Sequence, residues 1–440
     1  MNKNYLFGII LLLFLPTLTF AQEILNPDAG IPVDTVLIFG NEKTHDEVIL
    51  REIPFTFPDT LKESDFQLIQ NRLTNLYLFS RVELRLQPAP EGNKLLILVT
   101  EHWYIFPLPI LFINERDWSK ISAGLQFTHF NFRGRNEKLS IGGWLGYNPA
   151  IQLSYYNPWL GKNARLILGT NFLYRKKANK IFDFDESQIK FSVTIGRQIS
   201  LTFKAQATVS LQQVKLPEPY HRYSASGNGK DVFPAINVEM TADHRDLFEY
   251  PRHGWYVQTS LQKNGFGGAQ PDYWRFSSDN RLYQSIPGGI VLAARNRIIA
   301  NWGTLPIYDR SFLGFEERIR GYFDLVLPAP EKYLEFPSPK LMINTFEIRI
   351  PIVPIRYYNF EEAPIFSSYT RNLKFGISLG LFTESGVVWQ ERAQLNLRSM
   401  FSGFGAGIHF HLPYVNVLRL DRAWNDRGQP EWILEAGVSF

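Results

Sequence analysis

The chain has 440 residues, with 46 Lys and Arg against 42 Asp and Glu and a formal net charge of +4. That balance gives no footing for a nucleic-acid surface. The absence of Cys excludes disulfide staples and thiolate metal sites. Aromatic residues are abundant (35 Phe, 20 Tyr, 10 Trp) and Met is scarce at 4, yet beyond the N-terminal segment no apolar run is long enough for a membrane-spanning helix. A transmembrane barrel escapes that exclusion, because its strands alternate lipid-facing apolar and lumen-facing polar residues.

Residues 1–21 read as an export signal. Lys3 opens it, Leu6 to Leu15 is almost wholly apolar, Pro16 breaks the run, and Thr19-Phe20-Ala21 supplies small residues where a signal peptidase cuts. The competing reading is a transmembrane helix, for which the run falls short of about 20 residues. Residues 22–32 form a lead-in.

Residues 33–102 read as one compact unit. Val33 to Phe39 is a strand ended by Gly40-Asn41, and Thr44 with Glu47 has the spacing of a capping box for a short helix through Leu50. Ser64 with Gln67 is expected to open a second helix, with Phe66, Ile69, Leu73 and Leu76 on one face. The period then falls to two. Val82, Leu84 and Leu86 form one strand, Pro88 to Asn93 a turn, and Leu95, Ile97 and Val99 another strand. The order β-α-α-β-β predicts a small sheet with helices on one face.

From residue 103 onward the pattern is strand after strand. Candidates lie at 104–112, 121–130, 138–147, 150–158, 164–174, 188–198, 201–211, 232–242, 254–264, 273–284, 290–301, 341–350, 373–382, 402–411, 414–421 and 432–440. These sixteen antiparallel strands, with Trp144, Tyr147, Tyr155, Tyr156 and Trp159 near strand ends, predict a transmembrane β-barrel over 103–440. Two soluble sandwiches would share the alternation. The even count and flanking aromatics favour a barrel, whose closure removes strand edges that lipid cannot satisfy.

One connection, 302–340, is far longer than an ordinary loop. It carries Glu316, Ile319, Arg320, Gly321 and Tyr322, and Pro328, Pro330, Pro337 and Pro339. Two readings stand: a long surface loop, or a loop folded into the lumen. In the second, Arg320 needs a carboxylate, with Glu384, Glu347 and Glu316 as candidates. Nothing suggests an enzyme or a cofactor. His409 and His411 share a strand face but lack a metal-ligand motif, and Gly265-Phe266-Gly267-Gly268 lacks the Lys-Ser/Thr of a phosphate cradle.

At the long connection the sequence resembles the BamA/TamA-like superfamily of outer-membrane assembly and translocation factors, with its surface-antigen barrel. Ile319-Arg320-Gly321-Tyr322 looks like the family's Val-Arg-Gly-Phe/Tyr inward-loop motif. Asn344 and Glu347 match the following strand, and Phe382-Thr383-Glu384-Ser385-Gly386 resembles a Phe-x-Asp-x-Gly element with Glu in place of Asp. Gly403 to Gly407 with Pro413 resembles the next strand pair, and Arg252-His253-Gly254-Trp255 an earlier strand start. A terminal Phe440 looks like the family's assembly signal. In front, Val36, Phe39, Gly40, Asn41 and Thr44, then Leu76 to Val82 including Phe79, then Val99-Thr100-Glu101, resemble a POTRA domain.

The resemblance implies an inward loop whose Arg320 pairs with Glu384, and a lateral seam between the first and last strands. Pro107 and Pro109 on one side lack N–H donors, so a weakly zipped seam with Gly437 and Phe440 on the other is expected. It implies an outer-membrane location with a periplasmic POTRA domain. The implied partners are unfolded outer-membrane or secreted proteins, the lipid bilayer, and accessory periplasmic proteins or lipoproteins. Two functions follow: assembly and insertion of outer-membrane proteins, or a pore dedicated to one exported partner.

Overall fold

The structure, a computed structural model, describes residues 30–113, 118–179, 182, 184–314, 317–322, 327, 339–359, 373–391, 395–413, 417–438 and 440. The expected export segment and Glu316, Pro328, Pro330 and Pro337 lie outside these.

The N-terminal unit contains β1 (Ile31–Val33), β2 (Thr35–Phe39), α1 (Asp46–Leu50), β3 (Asp59–Leu61), α2 (Glu63–Thr74), β4 (Phe79–Gln87) and β5 (Lys94–Glu101). Its main sheet runs β2-β5-β4, with β2 parallel to β5 and β4 antiparallel to it. The helices cover one face, where Val48, Ile49, Ile69, Leu73, Leu95 and Ile97 are buried together. A small β1–β3 pair lies outside the expected order. Gly40 adopts φ +89°, and a Cβ there would lie 2.0 Å from the Val99 carbonyl oxygen, so only Gly fits.

Both expected helix starts need correction. α1 begins after His45 with no side-chain cap. Thr44 Oγ1 instead donates to Glu101 Oε1 at 2.6 Å, beside the Tyr104 hydroxyl at 2.9 Å. α2 starts at Glu63, and Asp65 rather than Gln67 closes the first turn by accepting from the Lys62 N–H at 2.8 Å.

The remainder is a 16-stranded antiparallel sheet made of β6 (Ile105–Ile113), β7 (Ile121–Phe132), β8 (Glu137–Gly146), β9 (Ala150–Leu160), β10 (Leu166–Ala178), β11 (Asp185–Gln198), β12 (Phe203–Lys215), β13 (Lys230–Asp243), β14 (Gly254–Asn264), β15 (Asp272–Ser285), β16 (Val291–Thr304), β17 (Lys340–Tyr358), β18 (Leu373–Trp389), β19 (Phe401–His411), β20 (Leu418–Asn425) and β21 (Pro430–Ala436). The sheet curls until β14 and β19 regions meet: the Tyr250 hydroxyl lies 2.9 Å from His409 Nδ1. Outward residues such as Leu125, Ile141, Val209 and Leu434 are exposed, while their alternates face inward, as a barrel in lipid requires.

Four strand expectations are corrected. β17 and β18 run well past residues 350 and 382. The strand expected at 414–421 is β20 at Leu418–Asn425. The last strand stops at Ala436, so Gly437 and Phe440 lie beyond it. Phe440 is 3% exposed, stacked on Tyr283 with ring centroids 5.9 Å apart.

Candidate functional site

The described part of the long connection lies inside the barrel. Ile319 and Tyr322 are buried with Leu313, Leu327, Leu341 and Ile343, so an apolar foot seats the segment against β17. Gly321 takes φ +98°, and a Cβ there would lie 2.9 Å from the Asn425 nitrogen. That tight turn lets the Gly321 N–H donate to Glu431 at 3.0 Å while Asn425 Nδ2 donates to the Gly321 carbonyl at 3.2 Å. The Tyr322 hydroxyl donates to Asp426.

Arg320 is the centre of the arrangement, 3% exposed. Its Nε donates to Glu384 Oε1 at 2.8 Å and its backbone N–H to Glu384 Oε2 at 2.7 Å. Nη1 donates to Asp421 at 3.0 Å and Nη2 to Glu347 at 3.2 Å. The guanidinium lies 3.4 Å from the centre of the Phe382 ring. Only the forked, planar Arg head can meet three carboxylates and a ring face at once. The carboxylates come from β17, β18 and β20, so the loop ties three strands together. Gly403 on β19 is part of the fit: a Cβ there would sit 1.9 Å from the Arg320 carbonyl oxygen.

Asp421 is a partner the sequence reading missed. The alternation Arg419, Asp421, Ala423, Asn425 along β20 puts all four inward and could have found it.

The network extends outward from Arg320. Arg349 donates to Glu347 at 2.7 Å and lies 5.5 Å from the Phe440 ring centre. Arg419 donates to Asp421 at 2.8 Å and to the Gly437 carbonyl at 2.8 Å. The two residues expected in the seam therefore belong to the inner clamp. Arg297 donates to Glu317 at 2.6 Å, and Arg318 pairs with Glu435. A cavity of about 390 Å³ remains between these groups.

At the seam, β6 pairs with β7 through Pro107↔Phe127 and Pro109↔Leu125. β21 pairs with β20. Among the described residues no ladder joins β6 to β21.

The small domain sits against the barrel's turns. Asn131 Nδ2 donates to Thr44 Oγ1 at 2.9 Å, and the His45 N–H to the Gly134 carbonyl at 3.0 Å. Arg51 lies 5.1 Å from the Trp159 ring centre. Asn75 Nδ2 donates to the Asp246 carbonyl at 3.0 Å, and its Oδ1 accepts from the Phe248 N–H at 2.8 Å. Of the other domain residues singled out, Asn41 bonds Asp46 at 2.6 Å, and Phe79 is core. His102, in the linker to β6, is pushed down to about 4 by burial, with Lys374 adding to it. His409 and His411 are buried, and among the described residues no metal-ligating cluster occurs.

The Omp85 superfamily domain profile matches residues 131–440. The outer membrane protein assembly factor BamA of Nitratidesulfovibrio vulgaris is 20% identical over 315 residues, which is 66% of this chain and 37% of the relative. The chain thus spans well under half of that relative's length. Among solved structures, BamA from Haemophilus ducreyi lacking POTRA domains 1–3 is 15% identical with TM-score 0.55, covering 92% of this chain and 83% of that one. CdiB from Escherichia coli is 10% identical with TM-score 0.56, covering 93% and 74%. At these identities the structural likeness speaks for the fold alone. The profile match spans most of the barrel, and the chain belongs to the Omp85 superfamily.

Proposed function

We propose that this protein inserts or assembles other outer-membrane proteins by offering client strands the seam between β6 and β21. The barrel stands in the bacterial outer membrane with its small POTRA-like domain on the periplasmic side. The observation that carries the reading is the missing ladder between β6 and β21 among the described residues. In lipid an unpaired strand edge is costly, so an edge kept there is an edge available for pairing. Pro107 and Pro109 remove two donors from it. The Arg320 clamp supports the same reading, because it fixes β17, β18 and β20 so that the seam is where the wall can part. No step of this role requires enzymatic chemistry or a cofactor.

A dedicated translocation pore is the second reading. It is favoured by the inner wall of β7–β14, where hydrogen-bonding Gln, Ser and Thr side chains are interspersed with charges that bond to amides, as Arg175 does to Gln188 and Glu239 to Gln206. Accessory periplasmic proteins or lipoproteins would dock at the domain in either case.

Depletion of the protein, followed by quantification of the outer-membrane proteome, separates the two. Broad loss of barrels supports assembly. Loss of a single exported protein overturns it in favour of the pore.

A further inference from the structure

Three lysines stand in one line at the rim of the barrel. Lys176 on β10, Ser187 on β11, Lys215 on β12 and Lys230 on β13 are direct cross-strand neighbours, each opposite the next. The small domain bonds to the turns at the opposite ends of these strands, at Leu201 between β11 and β12 and at Asp246 after β13. The line therefore lies on the outer side of the membrane. It is also on the lipid face of the wall. Towards the membrane the same face carries Ile189 and Val232, then Phe172, Phe191 and Leu211, all exposed. The three lysines are exposed as well. Lys215 and Lys230 face each other directly, a like-charge pair that destabilises the sheet unless an anion stands between them. Among the described residues no carboxylate lies within ion-pair distance of the three ammonium groups. Asp185, on the same face of β11, pairs with none of them, and Glu186 and Asp231 are buried on the inner side.

The level of the line decides what it meets. Rows of direct neighbours climb away from the periplasm as strand number rises. The row that begins at Leu166, the inner end of β10, arrives at Ile298, seven residues past the inner end of β16. Lys176 is ten residues along β10 from Leu166. At about 3.3 Å per residue and a tilt of about 40° that is about 25 Å up, the height of the apolar band. Lys215 and Lys230, two and three strands on, stand about 6 and 9 Å higher for strands about 4.8 Å apart. A headgroup layer is about 5–8 Å deep, and a four-carbon stem lets an ammonium reach down into it. The line thus crosses the headgroup layer and leaves the hydrocarbon to the apolar rows below.

We propose that this rim binds anionic, phosphate-bearing lipid headgroups of the outer leaflet. Charge and position select the occupant together. The anion that lies directly above acyl chains is the phosphate of the lipid, and a Lys ammonium binds it as a point charge. A phosphate between Lys215 and Lys230 removes their repulsion, while its acyl chains lie on Phe191 and Leu211, which the wall already shows to lipid. The binding surface is therefore continuous with the lipid-facing wall, and a soluble anionic partner has no use for that apolar continuation.

The test uses the full chain, folded in neutral detergent and checked by heat-modifiable migration. It is titrated with phosphatidic acid, with net-neutral phosphatidylcholine of the same chains, with inorganic phosphate and with a polyglutamate peptide, and bound molecules are counted by native mass spectrometry. Phosphatidic acid is expected to bind about tenfold tighter than phosphatidylcholine, and inorganic phosphate to compete weakly. Each of Lys176→Gln, Lys215→Gln and Lys230→Gln should weaken phosphatidic acid by about fivefold, while Lys215→Arg with Lys230→Arg keeps it. Lys340→Gln is the control, an outward rim lysine whose Nζ already donates to the Gln390 carbonyl at 3.2 Å, and it should change nothing. Equal affinity for the two lipids overturns the proposal, as does unchanged binding when Lys215→Gln and Lys230→Gln are combined. Full displacement of the lipid by inorganic phosphate would make this a free-anion site, and polyglutamate bound as tightly as the lipid would make it a protein surface; either result overturns it. An equal loss in Lys340→Gln would assign the effect to net charge and overturn it too.

Discussion

The two halves of the barrel wall share one strand geometry and differ in their inner chemistry. Along β7–β14 the lumen has Gln, Ser and Thr that bond one another across strands, Gln126 to Ser140 at 3.1 Å, Thr128 to Ser140 at 2.9 Å and Thr194 to Thr208 at 2.8 Å, and charges that bond to amides, Arg175 to Gln188 at 2.8 Å and Glu239 to Gln206 at 2.9 Å. Along β15–β20 it is lined by ion pairs: Asp279 with Arg281 and Arg295, each at 2.8 Å, then the Arg320 and Arg349 clusters. The small domain bonds to the turns of the first half, and the Arg320 segment of the inward loop is clamped in the second, while Tyr308 at the loop's start donates to Asp231 on β13 at 2.6 Å. Ion-pair clusters therefore stand where the Arg320 segment must be held. In the first half charges meet amides, and in the second they are gathered into ion-pair clusters.

The largest effect is expected at the clamp. Arg320→Ala leaves Glu347, Glu384 and Asp421 buried without their common partner, which should cost on the order of 3–5 kcal/mol. The readout is the temperature at which the folded gel band disappears. Arg320→Lys should recover little, because a point charge cannot satisfy three carboxylates in a plane. An unchanged transition for Arg320→Ala would remove the distinction between the two halves.

Acidification comes next and tests the domain's seating. His102 is held neutral, with its pKa about 4 against about 6.5 when unfolded. A depressed value means that its contribution is present above pH 6.5 and is lost as pH falls towards 4, by up to about 3 kcal/mol. His102→Asn should flatten the stability profile across that window. A profile equally steep in the variant would place the acid sensitivity elsewhere.

Asn75→Ala removes two bonds between the domain and the β13–β14 turn, and about 1–2 kcal/mol is expected. Protease cutting at the 102–104 linker should rise without any change in the heat-modifiable shift. Smallest of all, the paired change Thr194→Val with Thr208→Val should be within about 1 kcal/mol of the parent, because both bonding partners leave together. A large loss there would mean that the first half is as tightly built as the clamp.

Much of this was legible in the sequence. Every barrel strand has a counterpart among the sixteen expected, because lipid outside and water inside enforce a two-residue period. The errors have physical causes. The strand expected at 341–350 stops short of Pro351 and Pro354, yet β17 carries both through irregular pairing with β18. Thr44 has cap spacing, but Glu101 and Tyr104 offered stronger partners from across the fold. For Arg320, Glu384 and Glu347 were within reach of sequence reading. Asp421, 101 residues away, becomes a neighbour only once β20 is registered against β19. Phe440 was expected in the last strand. It instead packs with Tyr283 and Arg349, a contact that no local pattern encodes.

The most direct measurement of the central claim is a reversible tether across the seam. Ile105→Cys on β6 and Leu434→Cys on β21, both exposed on the outward face, are joined by a cleavable crosslinker in membranes, and insertion of newly made outer-membrane proteins is followed before and after cleavage. The account predicts that insertion stops when the strands are tethered and resumes on release. Full insertion activity with the seam quantitatively tethered would contradict it.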